Sequence, residues 1–311
     1  MTAENTMGLT WMSYIQDSKN LSEINIPGTH DSGTKFVSHN QKHFRCQELS
    51  VEEQLKIGVR YLDIRCCAQN DGKPPLIKHS DANCLKEKGD TKEDNLLTLR
   101  DVLETIESFL KSEESSQETV LLQIKNEGGN SKDSPLVKYL AQFIQQSDWI
   151  WAEDRLPLLS EVRGKAVLIR RFTYSSNYSG GLTEKDFGIN LSSWDTECHG
   201  KSKAGTNTYV NVNNRAFVQD RYMVGGGEKY DLILRAIKEA NNRGRDVINK
   251  WVINLTSCIY NTPESAAEAI NERLMKEPLI RKNNKLGTFV MDFVNEDLVC
   301  KIYSTNNEIL P

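Results

Sequence analysis

The chain has 311 residues, 38% of them hydrophobic and 26% charged, with a formal charge of −4 and an isoelectric point near 5.9. That balance excludes a nucleic-acid partner, which would need a basic face, and disfavours a polyphosphate one. A mean hydropathy of −0.54 and the lack of any run near the roughly 18 apolar residues of a membrane span point to a soluble chain, free to touch a membrane from one side.

Residues 1–16 lack the charged head, apolar run and small-residue cleavage site of a signal peptide, so secretion by that route is not expected. Seven cysteines without a Cys-x-x-Cys pair, two of them the vicinal Cys66-Cys67, read as small apolar thiols in a reducing compartment rather than a disulfide framework. No repeat, low-complexity tract or linker breaks residues 1–311, and a single domain is expected.

In chain order, short apolar or β-branched runs predict strands at 24–26, 61–65, 76–79, 120–125, 166–171, 216–220, 252–256 and 288–294. Helical patterns lie at 51–57, 99–110, 136–145, 230–241 and 266–275. In the second of these, Leu99, Val102, Leu103, Ile106, Phe109 and Leu110 recur at helical spacing behind Thr98, a good cap. Eight strands alternating with helices predict an α/β fold, a single distorted (β/α)8 TIM-like barrel of parallel strands. Two stretches depart from the pattern. No helix is evident between the second and third strands, and 172–215 reads as one long loop.

Barrel enzymes carry their reactive groups where strands end. Here the first strand runs into Pro27-Gly28-Thr29-His30-Asp31-Ser32-Gly33, the second carries Asp63 and Arg65, and the third ends on His79. The fourth ends at Lys125 with Glu127 beyond it, the fifth at Arg170-Arg171, the sixth at Asp220 with Tyr222 following, and the eighth carries Asp292. Each has an ordinary reading: a structural ion pair for Asp63 and Arg65, or one inward and one outward arginine at Arg170-Arg171. Their coincidence at one end of one fold points instead to acid–base chemistry on a phosphate ester. Such chemistry needs a base, an acid and cations for the pentacoordinate transition state.

The runs 25–33, Gln54-Leu55 and Gly58-Val59-Arg60-Tyr61-Leu62-Asp63-Ile64-Arg65 closely resemble the X domain of bacterial-type phosphatidylinositol-specific phospholipases C. The likeness continues in order through His79, 120–125, Arg163-Gly164-Lys165 with Arg171, Val218-Gln219-Asp220-Arg221-Tyr222, Asn254-Leu255-Thr256-Ser257 and Asp292-Phe293-Val294-Asn295. It implies cleavage of phosphatidylinositol without a metal or other cofactor. The inositol 2-hydroxyl attacks the phosphorus, diacylglycerol leaves and a cyclic inositol phosphate remains. By the same likeness His30 is the general base held by Asp292, His79 the general acid supported by Asp31, and Arg65 the clamp on the phosphoryl oxygens beside Asp63. Lys125, Arg171, Asp220 and Tyr222 match positions that hold the inositol ring, and Trp194 resembles a further pocket aromatic. The implied partner is phosphatidylinositol in a membrane, met transiently at the interface by a monomer, with glycosylphosphatidylinositol anchors as a second substrate.

The bacterial relatives carry exposed tryptophans after the His-Asp-Ser-Gly turn and after the Thr-Ser pair, where this chain has Phe44 and Ile259-Tyr260, so weaker interfacial anchoring is expected. Trp149 and Trp151 read as core or edge aromatics, and the spacing of Cys84 and Cys198-His199 fits no standard metal site. Two other readings stand beside the main one: a calcium-assisted phosphodiesterase of another lipid headgroup, and a catalytically silent inositol-lipid-binding module. A guanidinium at Arg65 argues against the first, and the paired histidines with their carboxylates against the second.

Overall fold

Helices start where a side chain satisfies the free N–H groups of a first turn. Ser50, Thr98 and Thr262 each accept a hydrogen bond from the residue three positions on, opening α1 (Val51–Lys56), α2 (Leu99–Lys111) and α5 (Pro263–Lys276). Between them lie α3 (Asp133–Gln146) and α4 (Gly226–Asn242), and α6 (Glu296–Tyr303) follows. The computed structural model describes residues 3–69, 72–127, 133–194, 210–242, 251–258 and 261–306.

Among the described residues eight parallel strands follow one another round the barrel: β1 (Ile26–Thr29), β2 (Tyr61–Cys67), β3 (Thr119–Asn126), β4 (Lys165–Arg171), β5 (Ile189–Asn190), β6 (Ala216–Gln219), β7 (Trp251–Leu255) and β8 (Thr288–Met291), with the short Ile150–Trp151 also pairing parallel to β4. Their ladder order is β5-β4-β3-β2-β1-β8-β7-β6, so the last strand pairs with the first and the ends of the chain meet in the sheet. Gly28 lets β1 fit between its neighbours, because a Cβ there would lie 2.6 Å from that of Tyr61. Among the described residues no ladder joins β5 to β6. Side chains cross that gap instead: Asp154 accepts from the Asn190 N–H at 2.9 Å and from two nitrogens of the Arg215 guanidinium at 3.1 Å. A strand at Val210–Val212 pairs antiparallel with β6 beside it.

Two expectations are corrected. The segment Leu76–His79 is not a barrel strand; it pairs antiparallel with the end of β2 and with Ala82–Leu85. The residues between β2 and this segment are too few for a parallel crossover, which takes about a dozen or more. The eighth barrel strand is instead Ile189–Asn190, inside the stretch read as one loop, and two residues are too short to show a period. Strand and helix faces meet in one core, where α2 buries Leu99, Val102, Leu103, Ile106 and Leu110. Trp149 and Trp151 are buried as expected, and the six cysteines among the described residues are free thiols.

At the opposite end from the strand termini, Arg60 and Glu118 form a fully buried ion pair. Arg60 donates to Glu118 at 2.9 Å and to the carbonyls of Leu55, Val59, Gly8 and Leu9, while Glu118 accepts from the N–H groups of Met12 and Ser13. The pair ties the N-terminal segment under the barrel. Arg60→Met is expected to lower unfolding free energy by about 3–5 kcal/mol, because it strands a buried carboxylate. Denaturant titration checks this, and Arg60→Met with Glu118→Leu should recover much of the loss.

Candidate active site

Parallel strands deliver their C-terminal ends to one rim. Arg65, Lys125 and Arg171 are register partners across β2, β3 and β4 and stand in one row. β1 passes into His30-Asp31 and β8 into Asp292-Phe293, with Asp31 and Phe293 both at φ 44°, in the left-handed region. These sharp turns are pinned from outside the strands. The Gln47 amide donates to the carbonyls of His30 at 2.7 Å and Met291 at 2.8 Å, and Asn271 donates to the Asp292 carbonyl at 2.9 Å.

The rim encloses a cavity of about 380 Å³ lined by His30, Arg65, His79, Lys125, Glu127, Arg171, Asp220, Tyr222 and Asp292, with His43, Cys46, Ser257 and Cys258 among its other walls. His30 Nδ1 lies 2.8 Å from Asp292 Oδ1, and its Nε2 lies 2.6 Å from the Arg65 guanidinium. The imidazole therefore carries its proton on Nδ1 and accepts from Arg65 at Nε2. Burial works against protonating His30, but the Asp292 and Asp31 carboxylates outweigh both burial and the Arg65 cation, and its pKa is raised above 6.5. A neutral ring with a lifted pKa and a carboxylate on its far nitrogen can take a proton.

His79 stands across the cavity, its ring centroid 6.4 Å from that of His30 and the ring planes near perpendicular. Its Nδ1 donates to the Phe44 carbonyl at 2.9 Å and lies 3.5 Å from Asp31 Oδ2. Asp31 also reaches His30 Nε2 at 3.3 Å and Arg65 Nε at 3.1 Å, so one buried carboxylate sits between the two imidazoles and the guanidinium. Arg65 donates further to Asp63 at 3.0 and 3.1 Å and approaches Glu127 at 3.9 Å. Burial opposes both charges, yet Asp31, Asp63 and Glu127 hold Arg65 firmly protonated, and Arg65 with Arg171 keeps Asp63 well below the usual carboxylate range.

Asp63 does not line the cavity; Arg65 and Gln123 take up its carboxylate, which places it behind the guanidinium. Trp194 is likewise 1% exposed and lies in the wall rather than the lumen. Its indole N–H donates to Asp220 at 2.8 Å, and the Arg171 guanidinium rests over its ring at 4.1 Å. Arg170 and Arg171 do point to opposite faces of β4, Arg171 into the cavity and Arg170 to Glu184 at 2.8 Å, but both are buried rather than solvated. Phe44 is half-buried against the His79 ring, whereas Ile259-Tyr260 and Cys198-His199 fall outside the described residues.

Two participants had no role assigned from the sequence: Glu127, noted only at its strand exit, and Lys229. Glu127 pairs with Lys125 at 2.9 Å; burial opposes its charge, but Arg65 and Lys125 hold its carboxyl below the usual range. Its position two residues beyond Lys125 on the same strand exit was the available signal. Lys229 is buried under β6, donating to the Gln219 side chain at 3.0 Å and the Arg221 carbonyl at 3.1 Å, with burial bringing it down to about 8 against the pull of Asp220. It braces the exit of β6 from which Asp220 and Tyr222 project. As an interior lysine on a helix it carried no sequence signal.

Comparison with known proteins fits this arrangement. Residues 24–172 match the family described as Phosphatidylinositol-specific phospholipase C, X domain. The chain is 26% identical to a 1-phosphatidylinositol phosphodiesterase of Listeria monocytogenes, covering 95% of this chain and 84% of that protein. A protein of the same name from Staphylococcus aureus is 24% identical, covering 95% of this chain and 93% of that one. A solved variant of the phosphatidylinositol-specific phospholipase C from Staphylococcus aureus superposes with a TM-score of 0.77 at 21% identity, covering 98% of this chain and 99% of that one, and shares the fold. With its histidines, guanidinium and carboxylates on one barrel rim, the chain carries at residues 24–172 the X domain of the phosphatidylinositol-specific phospholipase C family.

Proposed function

We propose that this protein cleaves phosphatidylinositol to diacylglycerol and inositol 1,2-cyclic phosphate, using the substrate's 2-hydroxyl as nucleophile. The observation that carries the proposal is the pair of imidazoles facing each other at 6.4 Å, one bound to Asp292 at 2.8 Å, with the Arg65 guanidinium between them and the cavity wall. The 2-hydroxyl displaces Arg65 from His30 Nε2 and gives that nitrogen its proton as its oxygen bonds to phosphorus. Asp292 stabilises the imidazolium that forms. Arg65 turns its freed N–H groups to the phosphoryl oxygens, where charge accumulates. His79 enters protonated, steadied by Asp31 and the Phe44 carbonyl, and its Nε2 hands a proton to the departing diacylglycerol oxygen.

Lys125, Arg171 and Asp220 offer charged partners for ring hydroxyls, and the Tyr222 ring offers a face for ring C–H groups. No metal is needed in this scheme, because Arg65 already fills the space between Asp31, Asp63 and Glu127, where a hard cation would otherwise bind. Glycosylphosphatidylinositol anchors with a free 2-hydroxyl meet the same requirement. At the mouth, Met223 follows Tyr222 and is 74% exposed, an apolar side chain placed to enter a lipid interface. Phosphorus NMR of phosphatidylinositol vesicles treated with the protein in excess EDTA tests the scheme. A cyclic phosphodiester signal is expected as the first product; a monoester formed directly, or no turnover until calcium is added, would overturn it.

Trp194 has a supporting part in this reading. Trp194→Phe keeps a ring beneath Arg171 but deletes the N–H that orients Asp220. It is expected to raise KM several-fold, in line with about 1 kcal/mol for one hydrogen bond, with kcat little changed. Steady-state kinetics on short-chain soluble phosphatidylinositol separates the two constants.

A further inference from the structure

The proposed reaction leaves one group of the pocket unused. Cys46 lines the cavity, is 1% exposed, and has its Sγ 3.7 Å from His79 Nδ1. The ligand atoms that His30, Asp31 and Cys46 can offer all lie within 4.8 Å of one another. Three separations link four donors in succession: His30 Nε2 to Asp31 Oδ2 at 3.3 Å, Asp31 Oδ2 to His79 Nδ1 at 3.5 Å, and His79 Nδ1 to Cys46 Sγ at 3.7 Å. Zinc bonds of about 2.0–2.2 Å to nitrogen or oxygen and about 2.3 Å to sulfur, at tetrahedral angles, set neighbouring ligands roughly 3.3–3.6 Å apart. The unliganded pocket thus already shows three edges of such a polyhedron. Asp31 adds a second sign: both carboxylate oxygens are buried and accept no hydrogen bond among the described residues, their contacts being ion-pair approaches alone.

We propose that this pocket is an inhibitory site for a thiophilic divalent cation such as zinc, held by His30 Nε2, Asp31 Oδ2 and Cys46 Sγ, with His79 Nδ1 as fourth donor. The inference rests on the reading of the pocket as the site of phosphatidylinositol cleavage. Binding is ligand exchange without redox. The Cys46 S–H bond breaks, its proton goes to buffer, and the sulfur electron pair forms the bond to the metal. His30 Nε2 gives up its hydrogen bond from Arg65, and His79 Nδ1 gives up the Phe44 carbonyl and loses its proton to buffer, leaving a neutral ring with its remaining proton on Nε2. The base nitrogen is then on the metal, and His79 is pinned as a neutral metal-bound ring with no imidazolium proton to give, so turnover stops. Calcium and magnesium, which favour oxygen ligands, find one carboxylate and gain little from imidazole and thiol donors. Two local features weaken the site: burial with Asp292 and Asp31 holds the Cys46 thiol well above its usual pKa, and the Arg65 cation adjoins it. Affinity is therefore set well below that of a structural zinc site.

The test uses the full chain, freed of metal with EDTA and exchanged into thiol-free buffer. Zinc chloride at micromolar concentration is expected to suppress phosphatidylinositol cleavage, EDTA to restore it, and equal calcium or magnesium to leave it unchanged. Cys46→Ser should retain cleavage within a few-fold of the parent and require at least about tenfold more zinc for half-inhibition, reflecting loss of a thiolate ligand. Independently of activity, cobalt(II) should give the intense visible bands of a four-coordinate site and a thiolate charge-transfer band in the parent that Cys46→Ser lacks. Equal zinc sensitivity in the two proteins, or a cobalt spectrum unaffected by the substitution, overturns the proposal. So does metal binding at Cys46 that leaves cleavage intact. Absence of cleavage in the metal-free parent would count against the functional reading instead, with the cobalt spectra still deciding whether the site exists.

Discussion

Replacing His30 by alanine is expected to reduce turnover of phosphatidylinositol by at least about a hundredfold, the usual scale for a general base, with little change in unfolding midpoint. The base acts neutral, and Asp292 and Asp31 raise its pKa above 6.5 against burial and Arg65. Activity should therefore fall as pH drops through that raised value, giving the acid limb of the kcat/KM profile. Asp292→Asn removes the largest supporting charge, so burial and Arg65 push the pKa down. The acid limb should move to lower pH while the plateau falls. The same shift carries a stability consequence with the opposite pH sense. Protonated His30 is favoured in the folded state, so its contribution is complete below 6.5 and is lost as pH rises through the folded value. A pH series of kcat/KM for the parent and Asp292→Asn checks the acid limb, and a pH series of unfolding free energy checks the stability trend. A His30→Ala protein with a tenth or more of parental turnover would falsify the base assignment.

The site was more legible in the sequence than the fold that carries it. Strand exits are marked by chemistry that has no reason to lie in a buried strand, so His30, Arg65, Lys125, Arg171, Asp220 and Asp292 could be read off individually and meet in one cavity. The barrel was harder because its strands differ in length. Thr119–Asn126 is an eight-residue strand that announces itself, whereas Ile189–Asn190 is two residues long and its pairing with β4 is purely tertiary. Leu76–His79 looked like a barrel strand because apolar alternation does not distinguish a parallel ladder from a hairpin; His79 still reaches the cavity, by an antiparallel route. What remained hidden were the groups that act through others. Lys229 braces the strand of Asp220 from behind, Gln47 pins the turns at His30 and Met291, and Trp194, read from the sequence as a pocket aromatic, instead braces Asp220 from the wall. Their roles depend on which backbone atoms the fold brings near, and no local pattern encodes that.

Arg65→Lys is expected to be nearly as damaging as loss of a histidine, although the charge is kept. The guanidinium serves several partners at once: Asp63 from Nε and Nη2 at 3.1 and 3.0 Å, Asp31 at 3.1 Å from Nε, and His30 Nε2 at 2.6 Å from Nη2. A planar fork holds these in a fixed frame, and its remaining N–H groups can meet two phosphoryl oxygens together. An ammonium is a point charge on a flexible stem and cannot keep Asp31 and Asp63 in place while reaching the phosphate. Because that contact strengthens as negative charge builds on the transferring group, its loss should appear in kcat, by about a hundredfold to a thousandfold, the range for removing a donor to a developing oxyanion. KM should move far less, since Lys125, Arg171 and Asp220 hold the ring in the ground state. Steady-state kinetics on soluble phosphatidylinositol, with the fold verified by denaturant midpoint, separates these effects. A kcat within about threefold of the parent would mean that charge alone suffices at this position, and the bidentate clamp would have to be abandoned. Added calcium should rescue neither constant, because the substituted lysine still places a cation among Asp31, Asp63 and Glu127; recovery with calcium would favour metal-assisted cleavage.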